Sequence, residues 1–229
     1  MLSLIISSLF FAWAFATPFP RVPQLHCNIV DTGAEYLVLE NKTSAHIIPG
    51  VYSKYRLKDA LKAAGSHANP GTNPMVVVDT EQTSLGFNSN LADFESCKSN
   101  YMGFPAQRTT SSGKKHWYGH VRLYGEGPKS PNSPKLCLTK HWISPSLQFL
   151  TGEPCSYKDD ASQENQYFDM LELGRGYELA DYLLTQIGAP SRQHSKNYYY
   201  LPGTAKAPAF TVHPDQNTGY ALHFSYVHV

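Results

Sequence analysis

Short apolar runs recur along this chain, each rich in aromatic or β-branched residues and bounded by Gly, Pro, Asn or Ser. Runs of this kind are typical of β-strands. The clearest alternation places Tyr220, Leu222 and Phe224 on one face of a strand and His223 on the other. The pattern predicts about a dozen strands, at residues 35–40, 75–80, 84–88, 92–97, 116–124, 135–139, 147–150, 166–173, 177–184, 198–201, 210–213 and 220–229.

One segment has helical periodicity instead. Residues 53–64 carry Tyr55, Leu57 and Leu61 on one apolar stripe, and Gly65 follows as a stop signal. We therefore predict an all-β domain with one short helical insertion. About a dozen short strands fit either a sandwich or a closed barrel, and their spacing does not choose between the two. Turn-rich stretches predict surface loops at residues 66–74, 105–114 and 125–134.

The chain begins with MLSLIISSLFFAWAFA, a short apolar run that ends in the small-residue pattern Ala14-Phe15-Ala16. This pattern predicts a cleaved secretory signal peptide over residues 1–16. The run is shorter than the roughly 20 apolar residues that span a bilayer, which favours a signal peptide over a membrane anchor. The sequence has no second long apolar segment, so we expect no membrane association after cleavage. Residues 17–26 are predicted to be an extended, Pro-rich lead-in, and residues 27–229 a single domain with loop insertions.

The charge of the chain is nearly balanced. Its 19 Lys and Arg residues against 18 Asp and Glu residues give a formal net charge of +1, and the longest basic run is Lys114-Lys115. Nucleic acids and anionic lipid surfaces both require a basic face. We therefore expect neither of them as a partner.

Four cysteines follow the predicted signal peptide: Cys27, Cys97, Cys137 and Cys155. An even number in a secreted chain predicts disulfide bonds, which four cysteines can form in three pairings. No two of them have the close spacing of a zinc site. The sequon Asn41-Lys42-Thr43 predicts glycosylation of Asn41 in a surface loop.

The most informative segment, residues 135–173, reads as strand, turn, strand, loop and strand. Cys137 and Cys155 lie on neighbouring strands about a hairpin apart, where their Cα atoms can come within reach of a disulfide. We therefore predict a bond between these two cysteines, with Phe168 packed beneath them. In the chain-entropy model, closing a loop of this size stabilises the fold by about 3 kcal/mol.

This segment resembles one repeat of the ricin-type β-trefoil family. The likeness depends on Cys137-Leu138, Pro154-Cys155 and Asn165-Gln166-Tyr167-Phe168. These match the family's Cys-hydrophobic pair, its Pro-Cys and its Asn-Gln-x-Trp strand, with Phe168 in place of the tryptophan. A weaker echo runs from Cys27 to Cys97. The resemblance implies a β-trefoil-like barrel, and the whole chain also looks like small secreted proteins of fungi, for which no chemistry is implied.

The resemblance also implies a role for single residues. Phe168 would be the aromatic residue of the barrel core, Gln166 a structural hydrogen-bonding residue, and Asn165 a contact to a sugar hydroxyl. Thr139 stands where the family has its sugar-binding aspartate, and Glu153 stands where it has a stacking aromatic residue. Asn165, Thr139 and Gln166 are therefore the candidate residues of a degenerate carbohydrate site.

The sequence lacks the motifs of common catalytic sites. It contains no Gly-x-Ser-x-Gly elbow, and no thiol remains if all four cysteines pair. His116 and His120 would lie about 13 Å apart on one strand, too far to share a metal ion. Asp159, Asp160 and Glu164 lack the ligand pattern of a calcium loop and are interpreted as a polar turn. We expect no enzymatic activity, no metal and no cofactor.

These observations predict a secreted, extracellular glycoprotein that binds a ligand, with glycans as the first ligand class to test. The alternative is a secreted non-lectin β protein that binds another extracellular protein, as an inhibitor or a host-interaction factor. A hydrolase is the third candidate, because glycoside hydrolysis needs only two carboxylates at the right separation.

Overall fold

The computed structural model describes residues 21–32, 36–41, 46–56, 74–78, 91–124, 135–144, 147–173, 182–188, 199–201, 211–213 and 220–225. Regular structure in these ranges is β, apart from one 3-10 turn at Ala161–Gln163. The strands are β1 (Cys27–Ile29), β2 (Tyr36–Asn41), β3 (His46–Arg56), β4 (Pro74–Val78), β5 (Ala92–Cys97), β6 (Gln107–Thr109), β7 (Lys115–Leu123), β8 (Leu136–Ser144), β9 (Leu147–Pro154), β10 (Phe168–Glu172), β11 (Tyr182–Gln186), β12 (Tyr199–Leu201), β13 (Thr211–His213) and β14 (Tyr220–Ser225). The prediction of an all-β protein is confirmed.

All described strand pairs are antiparallel, and they form one hydrogen-bonded sheet. Its order is β1-β5-β7-β10-β11-β14-β12-β13-β9-β4-β3-β2, with β6 beside β7 and β8 between β7 and β9. Strand β14 pairs with β11 and also with β2, so it connects the early strands of the chain to the later ones. The expectation that 220–229 contains a strand tied into the sheet is confirmed for Tyr220–Ser225.

Alternation along β7 divides the structure into two apolar clusters. Trp117, Val121 and Leu123 point into the larger cluster, which we call the main core. Residues on the opposite face of β7 include Tyr118, which belongs to the smaller cluster. Buried members of the main core are Leu37, Ala92, Phe94, Val121, Leu123, Leu138, Leu150, Phe168, Met170, Tyr182, Leu184, Leu222 and Phe224.

The smaller cluster lies under a layer of irregular chain, which we call the outer layer (residues 98–106 and 155–167). The buried members of the smaller cluster are Leu25, Cys97, Met102, Tyr118, Tyr167 and Ile187. Several hydrogen bonds fasten this layer to the sheet and to the lead-in. The Tyr167 hydroxyl donates to the Cys97 carbonyl at 2.5 Å, and the Leu25 N–H donates to the Tyr157 carbonyl at 2.7 Å.

The predicted helix at residues 53–64 is wrong where it can be compared. Ser53–Arg56 is the end of β3, which pairs with β4 across a register shift between Ser53 and Arg56. A strand partner therefore overrides the local periodicity in this part of the segment. Residues 57–64 lie outside the described residues.

Other expectations have mixed outcomes. The predicted loop at residues 105–114 contains the short strand β6, and the strands β1 and β3 were not predicted. Asn41 is the last residue of β2, not a loop residue. The predicted strand at 84–88, the loop at 125–134, the signal peptide and the rest of the sequon lie outside the described residues. Within the described ranges, no helix has the length and apolarity needed to cross a membrane.

Candidate functional site

The hairpin formed by β8 and β9 contains Cys137, Leu138 and Pro154 of the motif that resembles the ricin-type family, and the remaining motif residues follow it in the chain. Register pairs Cys137 with Glu153 and Thr139 with Thr151. Cys155 follows β9 and is bonded to Cys137, with the two Cα atoms 4.9 Å apart. The predicted Cys137–Cys155 disulfide is therefore confirmed. Phe168 is fully buried in the main core, as its predicted role requires.

Gln166 connects this hairpin to the chain that follows it. Its amide nitrogen Nε2 donates to Thr139 Oγ1 at 3.0 Å and to the Pro154 carbonyl at 3.1 Å. Its oxygen Oε1 accepts a hydrogen bond from the Ser156 N–H at 2.8 Å. The side-chain amide thus bonds to β8, to β9 and to the segment after Cys155, which confirms the predicted structural role of Gln166.

Thr139 and Gln166 are wrong as sugar-binding residues. The structure brings them together, but their exposed fractions are only 3% and 4%. Thr139 Oγ1 also donates to the Cys137 carbonyl at 3.0 Å. Both polar groups are buried and bonded within the protein, because a buried polar group needs such partners. Neither group is presented to a ligand.

Asn165 is exposed, and its main-chain carbonyl accepts a hydrogen bond from the Lys140 N–H at 2.8 Å. The residue after Lys140 on β8 is His141, which forms an imidazole–carboxylate pair with Glu153. His141 Nε2 lies 2.6 Å from Glu153 Oε1, and the two side chains are 24% and 23% exposed. The same nitrogen is 2.8 Å from Thr151 Oγ1. We call His141, Glu153 and Asn165 the hairpin patch.

Beneath the hairpin patch lies a buried lysine. Lys140 Nζ donates to the carbonyls of Ile187 at 2.7 Å and Tyr167 at 3.2 Å. It also lies 5.2 Å from the centre of the Phe168 ring. Burial lowers the pKa of Lys140 to about 7, although the nearby Glu164 opposes this shift. The amine joins β8 to the residue before β10 and to the residue after β11, so its role is structural.

A second imidazole–carboxylate pair joins β7 to β10. His116 Nδ1 lies 2.9 Å from both carboxylate oxygens of Asp169, and the side chains are 14% and 15% exposed. Burial raises the pKa of Asp169, and the bond to His116 opposes that shift. Asp169 is paired in register with Tyr118, and His116 with Leu171. The contact therefore fastens two neighbouring strands.

Glu95 on β5 is a buried carboxylate with several partners. Its Oε1 lies 3.3 Å from Arg122 NH1 and 4.0 Å from Lys135 Nζ. Its Oε2 accepts a hydrogen bond from the Tyr157 hydroxyl at 2.6 Å. Burial raises the pKa of Tyr157, and the bond to Glu95 adds to the increase. These contacts compensate the buried charge and hold residue 157 of the outer layer against β5 and β7.

His120 lies opposite Glu95 on β7 and is fully buried. Burial lowers the pKa of His120 to about 4, against a smaller opposing effect of Glu95. Within the described part of the chain, neither ring nitrogen of His120 has a partner in hydrogen-bonding geometry, and the same holds for Gln163 Oε1. The ring packs near Tyr157 and Tyr167, with centroid distances of 5.7 and 6.0 Å.

The acidic cluster after Cys155 is used inside the outer layer. Asp159 accepts hydrogen bonds from the Ser99 hydroxyl at 2.5 Å and from the N–H groups of residues 100 and 101 at 3.0 and 3.1 Å. Asp160 caps the 3-10 turn by accepting a bond from the Ser162 N–H, and Glu164 accepts one from the Tyr101 hydroxyl. The interpretation of this cluster as a polar turn is confirmed.

The chain matches no family model, no curated protein and no solved structure. The resemblance to the ricin-type family therefore depends on the motif residues alone. Sequence reasoning missed His141 as a partner of Glu153, and it missed the burial of Lys140 and His120. Alternation on β7 gives a signal for His120, because it shares a face with Tyr118.

Proposed function

We propose that this protein is secreted and binds carbohydrate through the hairpin patch, on a β-trefoil-like fold. The observation that carries the proposal is the half-buried His141–Glu153 pair beside the exposed Asn165. Two disulfides support secretion, because such bonds persist in oxidising compartments.

The trefoil part of the proposal draws support from one repeat-sized segment. The Cys137–Cys155 bond, the hydrogen bonds of Gln166 and the burial of Phe168 all agree with the roles that the motif implies. The Cys27–Cys97 bond adds a second pair of bonded cysteines in the earlier segment that echoes the motif.

Sugar recognition needs polar groups that accept and donate hydrogen bonds in fixed positions. A carboxylate oxygen accepts from sugar hydroxyls, and the side-chain amide of Asn165 can both accept and donate. His141 holds Glu153 in place through the 2.6 Å contact. In this patch the Glu153 carboxylate replaces the carboxylate that the family motif has at the position of Thr139. The ligand class that fits is a sugar with neighbouring hydroxyl groups.

A glycan array on the mature protein, followed by titration of the strongest glycan, tests the proposal. We expect Glu153→Gln and Asn165→Ala each to weaken binding about tenfold, the effect of losing roughly 1.4 kcal/mol. Asn28→Ala is the matched control, because Asn28 is an exposed asparagine on β1. The absence of any bound glycan, or equal affinity of all three variants, would contradict the proposal.

A second candidate function, binding to another extracellular protein, is favoured by the exposure of β1. Ile29 is 56% and Val22 42% exposed, the large exposed apolar side chains among the described residues. Strand β1 also stands at the end of the described sheet order, where a partner's strand could add. Affinity capture from extracellular fluid with wild type and Ile29→Asp tests this function. A partner that both proteins capture equally would argue against β1 as the contact.

A further inference from the structure

The disulfide between Cys27 and Cys97 lies close to His120 on β7, whose ring nitrogens lack a hydrogen-bond partner among the described residues. The sulfur atoms of Cys27 and Cys97 and a ring nitrogen of His120 all lie within 4.8 Å of one another. Cys97 and His120 are fully buried, and Cys27 is partly buried. Zinc takes two cysteine thiolates and one histidine as ligands in proteins, whereas here the two sulfurs are bonded to each other at 2.04 Å.

The surroundings of His120 leave hydrogen-bonding capacity unused. Both of its ring nitrogens and the oxygen Oε1 of Gln163 are buried without a bonded partner in the described part of the chain. A buried polar group without a partner lowers the stability of the fold. A metal on one ring nitrogen would use that atom, and the other ring N–H could then donate to Gln163 Oε1, since metal-bound histidines usually donate to a neighbouring acceptor.

We propose that reduction of the Cys27–Cys97 disulfide converts this place into a zinc site made of the two thiolates and His120. The sulfur–sulfur bond breaks when an external dithiol supplies two electrons and two protons and is itself oxidised to a disulfide. Zn²⁺ then displaces one proton from each thiol. The two thiolate charges balance the charge of the ion, so the buried site stays neutral and avoids the cost of an uncompensated charge.

The position of the ligands in the fold allows the small movement that this change needs. Tetrahedral Zn–S bonds of about 2.3 Å separate two sulfurs by roughly 3.8 Å, farther than they lie in a disulfide. Cys27 belongs to the three-residue strand β1, which pairs with β5 alone among the described strands. Cys97 and His120 belong to the longer strands β5 and β7, which pair over five positions. We therefore expect β1 to move and the other two ligands to stay in place.

Cobalt binding to the mature chain tests the site, because Co²⁺ reports thiolate ligands and tetrahedral geometry in its absorption spectrum. After reduction with a phosphine in the absence of oxygen, we expect one Co²⁺ per chain, a thiolate-to-cobalt charge-transfer band, and displacement by one equivalent of Zn²⁺. The unreduced protein should show none of these signals. Cys137→Ala/Cys155→Ala should keep them, whereas His120→Gln should weaken Co²⁺ binding at least tenfold.

Far-UV circular dichroism makes the outcome decisive if the reduced chain loses its fold. In that case Zn²⁺ should restore the β spectrum of the wild type and of Cys137→Ala/Cys155→Ala, but not that of His120→Gln. Cobalt binding that depends on Cys137 and Cys155, that ignores His120, or that fails to appear at one equivalent would overturn the proposal.

Discussion

The two disulfides of this protein differ in what surrounds them. Cys137–Cys155 closes a separation of 18 residues, and the polar groups beside it are saturated through Gln166. Cys27–Cys97 closes a separation of 70 residues, and it lies beside His120, whose ring nitrogens lack bonded partners among the described residues. The Cys137–Cys155 bond therefore lies among polar groups that are already hydrogen-bonded, whereas the Cys27–Cys97 bond lies beside ring nitrogens that could take a metal ion, which is the basis of the zinc proposal.

We expect the largest losses of stability from removing the disulfides one at a time, and a larger loss for Cys27–Cys97 than for Cys137–Cys155. In the chain-entropy model a 70-residue separation is worth about 4 kcal/mol and an 18-residue separation about 3 kcal/mol. We therefore expect Cys27→Ala/Cys97→Ala to lower the free energy of unfolding by about 1 kcal/mol more than Cys137→Ala/Cys155→Ala. Urea denaturation of both variants measures this difference. A larger loss for the hairpin variant would show that its local contacts depend on the bond.

A substitution at Gly119 tests how closely the backbone packs around the Cys27–Cys97 disulfide. A Cβ atom at this position would overlap the Glu95 carbonyl oxygen and lie 2.9 Å from the Cys97 N–H nitrogen. Both neighbours are backbone, so we expect Gly119→Ala to cost about 3 kcal/mol in thermal or urea unfolding. Gly103→Ala is the control. Gly103 has open space around it but a φ of 74°, so its substitution should cost about 1 kcal/mol.

Asp159 tests how much the outer layer contributes to stability beside the Cys27–Cys97 disulfide, where Met102 and Tyr167 of this layer pack in one cluster with Cys97. Its three hydrogen bonds to residues 99–101 disappear in Asp159→Ala, and we expect a loss of about 2 kcal/mol in the free energy of unfolding. Hydrogen exchange at residues 100 and 101 should accelerate in the same variant. Asp160→Ala is the matched control, because among the described residues that carboxylate accepts hydrogen bonds from Ser162 in its own exposed turn and from no other segment. Equal effects of the two substitutions would refute the assigned role of Asp159.

Lys140, which lies on the same strand as Cys137, should make the free energy of unfolding depend on pH. Burial lowers its pKa from 10.5 to about 7, so between these values the unfolded chain binds more protons than the folded one. Stability therefore rises with pH across this window, by at most about 1.4 kcal/mol per pH unit, and is lost as pH falls toward 7. Urea unfolding at several pH values should show this slope in wild type but not in Lys140→Met. Lys135→Met removes an exposed lysine and should keep the slope. A slope that survives in Lys140→Met would exclude Lys140 as its source.

The local pattern of the sequence was sufficient for most strands. Short runs with apolar residues marked β5, β7 and β9, each of which contributes buried residues to the main core. Strand β3 was missed, since its pairing with β2 and β4 joins segments that no local pattern connects. Strand β1 was missed for a similar reason: three residues, mostly exposed, show no alternation.

The candidate site was predictable only in part. The hairpin spacing of the cysteines predicted the Cys137–Cys155 bond, because hairpin geometry is local, and the resemblance to the ricin-type family predicted the structural role of Gln166. The pairing of His141 with Glu153 depends on the register of β8 against β9, which includes a shift between Trp142 and Ser144. The burial of His120 depends on the outer layer folding back over β7, a long-range contact, and the nearby sequence indicates only that His120 shares a face of the strand with Tyr118.

The position of β14 has a consequence for how the chain reaches its final structure. Six residues of β14 pair with β2 and three with β11, although β2 is made early and β14 late during synthesis. During translation the edge of β2 that pairs with β14 therefore stays unpaired until β14 is made. Unpaired strand edges make slow-folding β proteins prone to aggregation. Production of this protein should accordingly improve when a chaperone protects the nascent chain until residues 220–225 have emerged.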